Sequence, residues 1–202
     1  MGQGLVATFK REINEIRDID IRHATEILLG DGYDAFLQWP ASSSGKYHPP
    51  DEIGPMGMVI HVKRCVAVAP DIARMYGLDQ FGQDILIAAS IVHDLYKQGR
   101  DGKAGHTVKD HMIIIHEIIN MTFNDLGLDP TARFRSQLAN ACLFHEGVWT
   151  PPEAHQLEDG PTIYATAMHT IDMMVTRRSI YDVMQSDWVT RALTSAWSLI
   201  GS

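Results

Sequence analysis

The chain has 202 residues, enough for one domain with a full hydrophobic core. Apolar residues make up 45% and charged residues 21%, an ordinary balance for a soluble globular protein. A formal charge of -8 argues against a nucleic-acid backbone as partner, and no run approaches the roughly 18 consecutive apolar residues of a membrane-spanning helix.

The two cysteines, Cys65 and Cys142, fall within apolar helical patterns and read as buried free thiols of a reducing compartment. The opening MGQGLVATFKREINEIRD lacks the apolar core and cleavage site of a signal peptide. Its Met-Gly start is followed by Val6 where a myristoylation signal needs Ser or Thr. A cytoplasmic location is the expectation.

Residues 5 to 29 read as helix. Val6, Phe9, Ile13 and Ile16 recur at spacings of three and four, and a second amphipathic stretch, Ile19 to Leu29, stops at Gly30-Asp31-Gly32. Tyr33 to Trp39 is a short helix before Pro40. The stretch from Pro40 to Pro55, PASSSGKYHPPDEIGP, is a loop, and it carries Lys46, Tyr47 and His48. Loops of this length inside a compact domain are often functional. Its Gly-Lys pair is no P-loop, because the upstream glycine and the following hydroxyl residue are missing.

Met56 to Tyr76 is a helix carrying His61, with a kink or break expected near Ala69 because of Pro70, and Gly77 ends it. Gln83 to Leu95 is an apolar helix that delivers His93 and Asp94. RDGKAG, residues 100 to 105, is a turn-rich loop. Thr107 is the expected N-cap of a long helix through Phe123, with Lys109, Asp110 and His111 in its first turn. Gly127 stops it, and Pro130 opens a further helix that runs to about Phe144 and ends at His145-Glu146-Gly147. Val148 to Pro161 is a loop. Thr162 to Thr176 is a helix bearing His169 and Asp172, its methionines Met168, Met173 and Met174 reading as core. Ser179 to Leu199 supplies one or two more helices. No stretch alternates with period two, so the fold class is all-α: one domain over residues 1–202, a bundle of roughly seven to nine helices.

Adjacent His93 and Asp94 offer a nitrogen and an oxygen ligand at one point, a pairing that suits a divalent metal. Neighbours on a helix lie about 100° apart, so both reach one ion only if it sits beside the helix and other segments complete the site. The chain supplies such segments in order: His61, His93-Asp94, His111, His145 and Asp172. Each sits at a helix end or inside an apolar helix, whereas randomly scattered histidines would fall mostly on solvated faces. Taken singly, His61 reads as a core histidine and Asp172 as a satisfied buried carboxylate. His23 and His155 read as surface residues, and His106, His116 and His169 as structural or ligand-orienting ones.

The order H…HD…H…H…D resembles that of the HD-domain superfamily of metal-dependent phosphohydrolases. The flanks resemble it too: GPMGMVIHVKRCVAVA around His61, IVHDLYKQG with its HD-x-x-K-x-G pattern, HTVKDHM at His111, LFHEGVWTPPE at His145 and MHTIDMMVTRR at Asp172. The likeness spans about residues 40 to 180, with the N- and C-terminal helices packing on that core. It implies a first metal on His61, His93, Asp94 and Asp172, and a second on His111 and His145 with Asp94 bridging. Some family members place a second histidine where this chain has Glu146. The mixed N/O donor set suits one or two divalent transition metals, Mn, Fe, Ni, Co or Zn, better than Mg²⁺. Two such ions about 3.5–4 Å apart activate a water near neutral pH and clamp both oxygens of a phosphoester displacement.

The resemblance implies a phosphohydrolase acting on a small phosphorylated substrate, a nucleotide foremost, as phosphomonoesterase, phosphodiesterase or dNTP triphosphohydrolase. Asp94 and Lys97 are its expected catalytic residues, with Lys97 neutralising phosphoryl charge. Lys46, His48, Lys97, Trp149 and Arg177 are the expected substrate contacts. The alternatives are a di-iron oxygenase of the same fold and a non-catalytic nucleotide-binding module. A single-strand nuclease would need a basic strip, for which Lys63-Arg64 and Arg177-Arg178 are the only contributors. A homodimer is expected through the N-terminal helix and Ser186 to Leu199, with Trp188 and Trp197 as anchors.

Overall fold

A computed structural model describes residues 2–125 and 133–178. Among these residues every regular element is helical: α1 (Gln3–Thr8), α2 (Lys10–Ile13), α3 (Ile19–Asp31), α4 (Gly57–Met75), α5 (Gln80–Val92), α6 (His111–Asp125), α7 (Arg133–Leu143) and α8 (Ile163–Thr176), joined by four short 3-10 turns. The chain is an all-α bundle. The expected helices after Ser179, the stop at Gly127 and the start at Pro130 lie outside the described residues.

The bundle is organised around α5. Ile85 to Val92 is buried on every side, as expected of a helix apolar all round. Asp79 caps its start, accepting from the Gly82 amide, so the helix begins earlier than Gln83. α4 packs along α5, with α8, α7 and α3 closing around the pair. α4 buries Met58, Val59, Val62, Cys65, Val66, Ala69, Ile72 and Ala73, the three-and-four spacing of a single stripe. Both thiols, Cys65 and Cys142, are buried and free.

Several local expectations need correction. The N-terminal segment is two short helices. Its chain turns at Asn14–Asp18, where the buried Asp84 carboxylate accepts from the Arg17 and Asp18 amides at 3.1 and 2.8 Å. The apolar spacing still holds, because Leu5, Phe9, Ile13 and Ile16 are all fully buried. That face is therefore occupied inside the chain's own core. α4 runs unbroken through Pro70. Thr107 is not an N-cap; its amide instead donates to Ser43 Oγ at 3.0 Å, and α6 starts at His111. Of the three methionines, Met168 is core but Met174 is 42% exposed.

α4 is entered through a tight approach. A Cβ on Gly57 would overlap the Glu52 carbonyl, which accepts from the Ala41 amide at 2.8 Å. A helical Gly→Ala exchange ordinarily stabilises by about 0.5–1 kcal/mol. Here Gly57→Ala is expected to do the reverse, by about 1–3 kcal/mol, read as a lowered urea midpoint.

Candidate metal centre

Three helices and two turns bring the six expected ligands to one point. His61 comes from the middle of α4. His93 and Asp94 come from the turns that follow α5, where the Leu95 and Lys97 amides donate to Val92 and Asp94 carbonyls. His111 opens α6, His145 follows α7, and Asp172 lies on α8. All are buried except Asp172, whose side chain keeps 19% exposure.

The imidazoles are oriented alike. His93, His111 and His145 each point Nδ1 at a carbonyl three residues upstream, those of Ser90, Val108 and Cys142, at 3.1, 2.8 and 2.7 Å. Their Nε2 atoms are thereby turned inward. His61 Nε2 lies 3.3 Å from His93 Nε2 and 3.3 Å from Asp172 Oδ1. His111 Nε2 lies 3.4 Å from His145 Nε2. Asp94 stands between the two pairs: Oδ2 is 3.6 Å from His93 Nε2, while Oδ1 is 3.2 Å from His111 Nε2 and 3.7 Å from His145 Nε2.

Two ring nitrogens facing each other at such distances, with Nδ1 hydrogens directed elsewhere, repel unless a cation sits between them. The protonation preferences express this. In each pair one ring is pushed toward the neutral form and the other toward the charged form. Burial pushes His93 down to about 3 and His145 down to about 4. Burial also acts against charge on His61 and His111, but Cys65, Asp172 and Glu52 raise the first, and Asp94 raises the second. Asp94 is held well below the carboxylate range against its burial by Lys97, His93 and His111. Asp172 is lowered by its contact with His61. The groups His61–His93–Asp172, His93–Asp94–His145 and His111–His145–Glu146 each present donors close enough together to hold a metal ion. The donor set fits a transition metal, since imidazole nitrogens and carboxylate oxygens converge in a buried site.

A cavity of about 310 Å³ opens over these ligands. Asp94, His145 and Asp172 form its floor with Lys97 and Glu146; Tyr47, His48, Trp149, His169 and Arg177 contribute walls. Lys97 is largely buried, its ammonium 2.5 Å from Asp94 Oδ2, and that carboxylate keeps it charged despite burial. Burial raises Glu146, whose Oε1 is 3.7 Å from His111 Nε2. Arg177 stacks on Tyr47, with 6.0 Å from guanidinium carbon to ring centre. The Arg178 amide donates to the Tyr47 carbonyl at 2.7 Å, so the 40–55 loop is tied to the end of α8. Of the expected substrate contacts, Lys46 alone does not line the cavity; its ammonium lies 4.9 Å from the Tyr47 ring centre.

His169 does more than pack. It engages the His145 carbonyl through Nδ1 at 2.7 Å and lines the cavity. Gly147 (φ +60°) sits against its ring, where a Cβ would collide. His116 is buried, 3.3 Å from Glu158, and His23 and His155 are exposed. Lys63 and Arg64 form no basic strip, because they pair with Glu12 and with Asp51 and Glu52. The residue missed from sequence is Glu52, fully buried beside His61. An acidic residue in a Pro/Gly loop carries no sequence signal of burial.

No helix among the described residues is long and apolar enough to cross a membrane. No family model, no curated protein and no solved structure matches the chain.

Proposed function

We propose that the protein is a metal-dependent phosphohydrolase of the HD-domain type, acting on a nucleotide or another small phosphorylated molecule. The observation that carries this reading is the split of Asp94. One carboxylate oxygen faces His93 of the His61–His93–Asp172 group, and the other faces His111 and His145. That is the disposition of a ligand shared by two sites. His61, His93, Asp94 and Asp172 would hold one divalent ion. His111, His145 and Asp94, with Glu146 in the place of a second histidine, would hold another. Bound ions supply Lewis acidity and a water ionisable near neutral pH.

The chain's own residues do the rest. Lys97 meets developing negative charge on the phosphoryl oxygens with a fixed, buried ammonium. Arg177 and His48 stand on the cavity wall where an anionic group enters. Trp149, 62% exposed at the rim, offers a flat apolar face to a base or sugar. A cavity of about 310 Å³ lies at the small end of ligand pockets, which favours a single small molecule over a polymer.

Incubation with Mn²⁺ and a panel of NMPs, dNTPs and cyclic mono- and dinucleotides, followed by product analysis, is expected to show turnover of one class. Inertness on the whole panel, with iron uptake and oxygen-dependent turnover instead, would replace this reading by the oxygenase one.

A further inference from the structure

Glu52 sits behind the imidazole cluster with no exposed surface. Its Oε2 is 2.8 Å from His48 Nδ1 and 3.5 Å from His61 Nδ1, and its Oε1 accepts from Arg64 Nη1 at 2.6 Å. The other three site histidines orient themselves on carbonyls of their own turns. His61 cannot, because it lies inside α4, where the carbonyls are committed to the helix. Its buried Nδ1 makes no closer hydrogen bond to any acceptor, and the carboxylate oxygen that faces it is Glu52 Oε2, at 3.5 Å.

We infer that Glu52 is the positioning residue of the metal centre: it fixes His61 with the Nδ1 proton toward the carboxylate and the Nε2 lone pair toward Asp172 and His93, and it ties the cavity-lining His48 to the same oxygen. A carboxylate behind a metal-binding histidine sets both the tautomer and the ring's orientation. This inference rests on the metal reading above. The same three residues, His48, Glu52 and His61, are spaced to hold an ion of their own. Arg64 already neutralises Glu52, however, and an ion there would require His61 to give up both ring protons. Positioning is the reading that the contacts favour.

The test is Zn²⁺ affinity of the full chain, by competition with a chromophoric chelator, for wild type, Glu52→Gln and Arg64→Met. Long-range ¹⁵N–¹H spectra of the imidazoles in Zn²⁺-loaded wild type are recorded alongside. Glu52→Gln is expected to weaken binding by about 10- to 100-fold. Arg64→Met breaks the same cluster from the side away from His61. It is expected to lower the melting temperature and leave affinity within about threefold. His61 in wild type should carry its proton on Nδ1, a readout that needs no variant. Unchanged affinity in Glu52→Gln overturns the inference, as does a parallel loss in both variants or an Nε2-protonated His61. An extra Zn²⁺ equivalent lost only with Glu52 makes the cluster an ion site instead. Wild type that takes up no Zn²⁺ overturns the metal reading and this inference with it.

Discussion

Asp94→Asn is expected to lower phosphoester turnover by on the order of 10³-fold or more while the helical fold persists. The asparagine keeps the volume and one acceptor for Lys97, which is 2.5 Å away in the native protein. It removes the anionic charge that both histidine pairs face. A group shared by two ions acts on both at once, so its loss is not compensated by the remaining ligands. Asp94→Ala should be worse in stability as well. It leaves a largely buried ammonium without its partner, a situation that costs up to about 3–5 kcal/mol in fully buried pairs and less here, because the Lys97 side chain retains 14% exposure. Product analysis of wild type and both variants on the nucleotide panel, with circular dichroism as the control for folding, checks this. Equal turnover in wild type and Asp94→Asn would remove Asp94 from the reaction.

Metal binding is expected to release about one proton per ion and to tighten as pH rises. In the metal-free protein His61 and His111 hold a proton more readily than an ordinary imidazole, while His93 and His145 are pushed toward the neutral form. An ion entering between the rings of a pair takes the proton's place. Apparent affinity should climb by up to about tenfold per pH unit below the folded-state pKa values of His61 and His111. Calorimetry in two buffers of different ionisation enthalpy counts the protons.

The same groups set the stability of the chelated protein. His61 and His111 are raised, so their contribution is complete below the ordinary histidine range and fades as pH rises through their folded values. His93, lowered to about 3, and His145, lowered to about 4, bind protons more readily when unfolded. Stability therefore falls as pH drops from about 6.5. Glu52, held at about 2 against its burial by His48, His61 and Arg64, adds to that loss as pH falls from 4.5. Its shift alone corresponds to on the order of 3 kcal/mol. Melting temperature against pH in chelator is expected to pass through a maximum, collapse on the acid side and recover on the alkaline side when Zn²⁺ or Mn²⁺ is restored. A flat alkaline limb, unaffected by metal, would contradict the paired protonation.

The sequence by itself determined the class of fold and the candidates for the site. Helical periodicity is a local property, so α3, α4, α5 and α8 are readable from spacing, stop signals and caps such as Thr162, whose hydroxyl accepts from Ala165. The candidate ligands are readable because metal chemistry admits few donor types, and here such residues recur in order on apolar helices. What only the tertiary structure decided is how these donors meet. That the two oxygens of Asp94 serve different histidines depends on α6 and α7 arriving on one side and α4 and α8 on the other. That Glu52 is buried depends on its loop packing against α4, where Arg64 and His48 meet its carboxylate. Nothing local distinguishes it from exposed Asp51 beside it. The start of α6 moved from Thr107 to His111 for a like reason: the Thr107 amide found Ser43 on a distant loop. A side chain's chemistry is inscribed in its own residue, but its desolvation and its partners are properties of the packed neighbourhood, and those become fixed only when distant segments close around it.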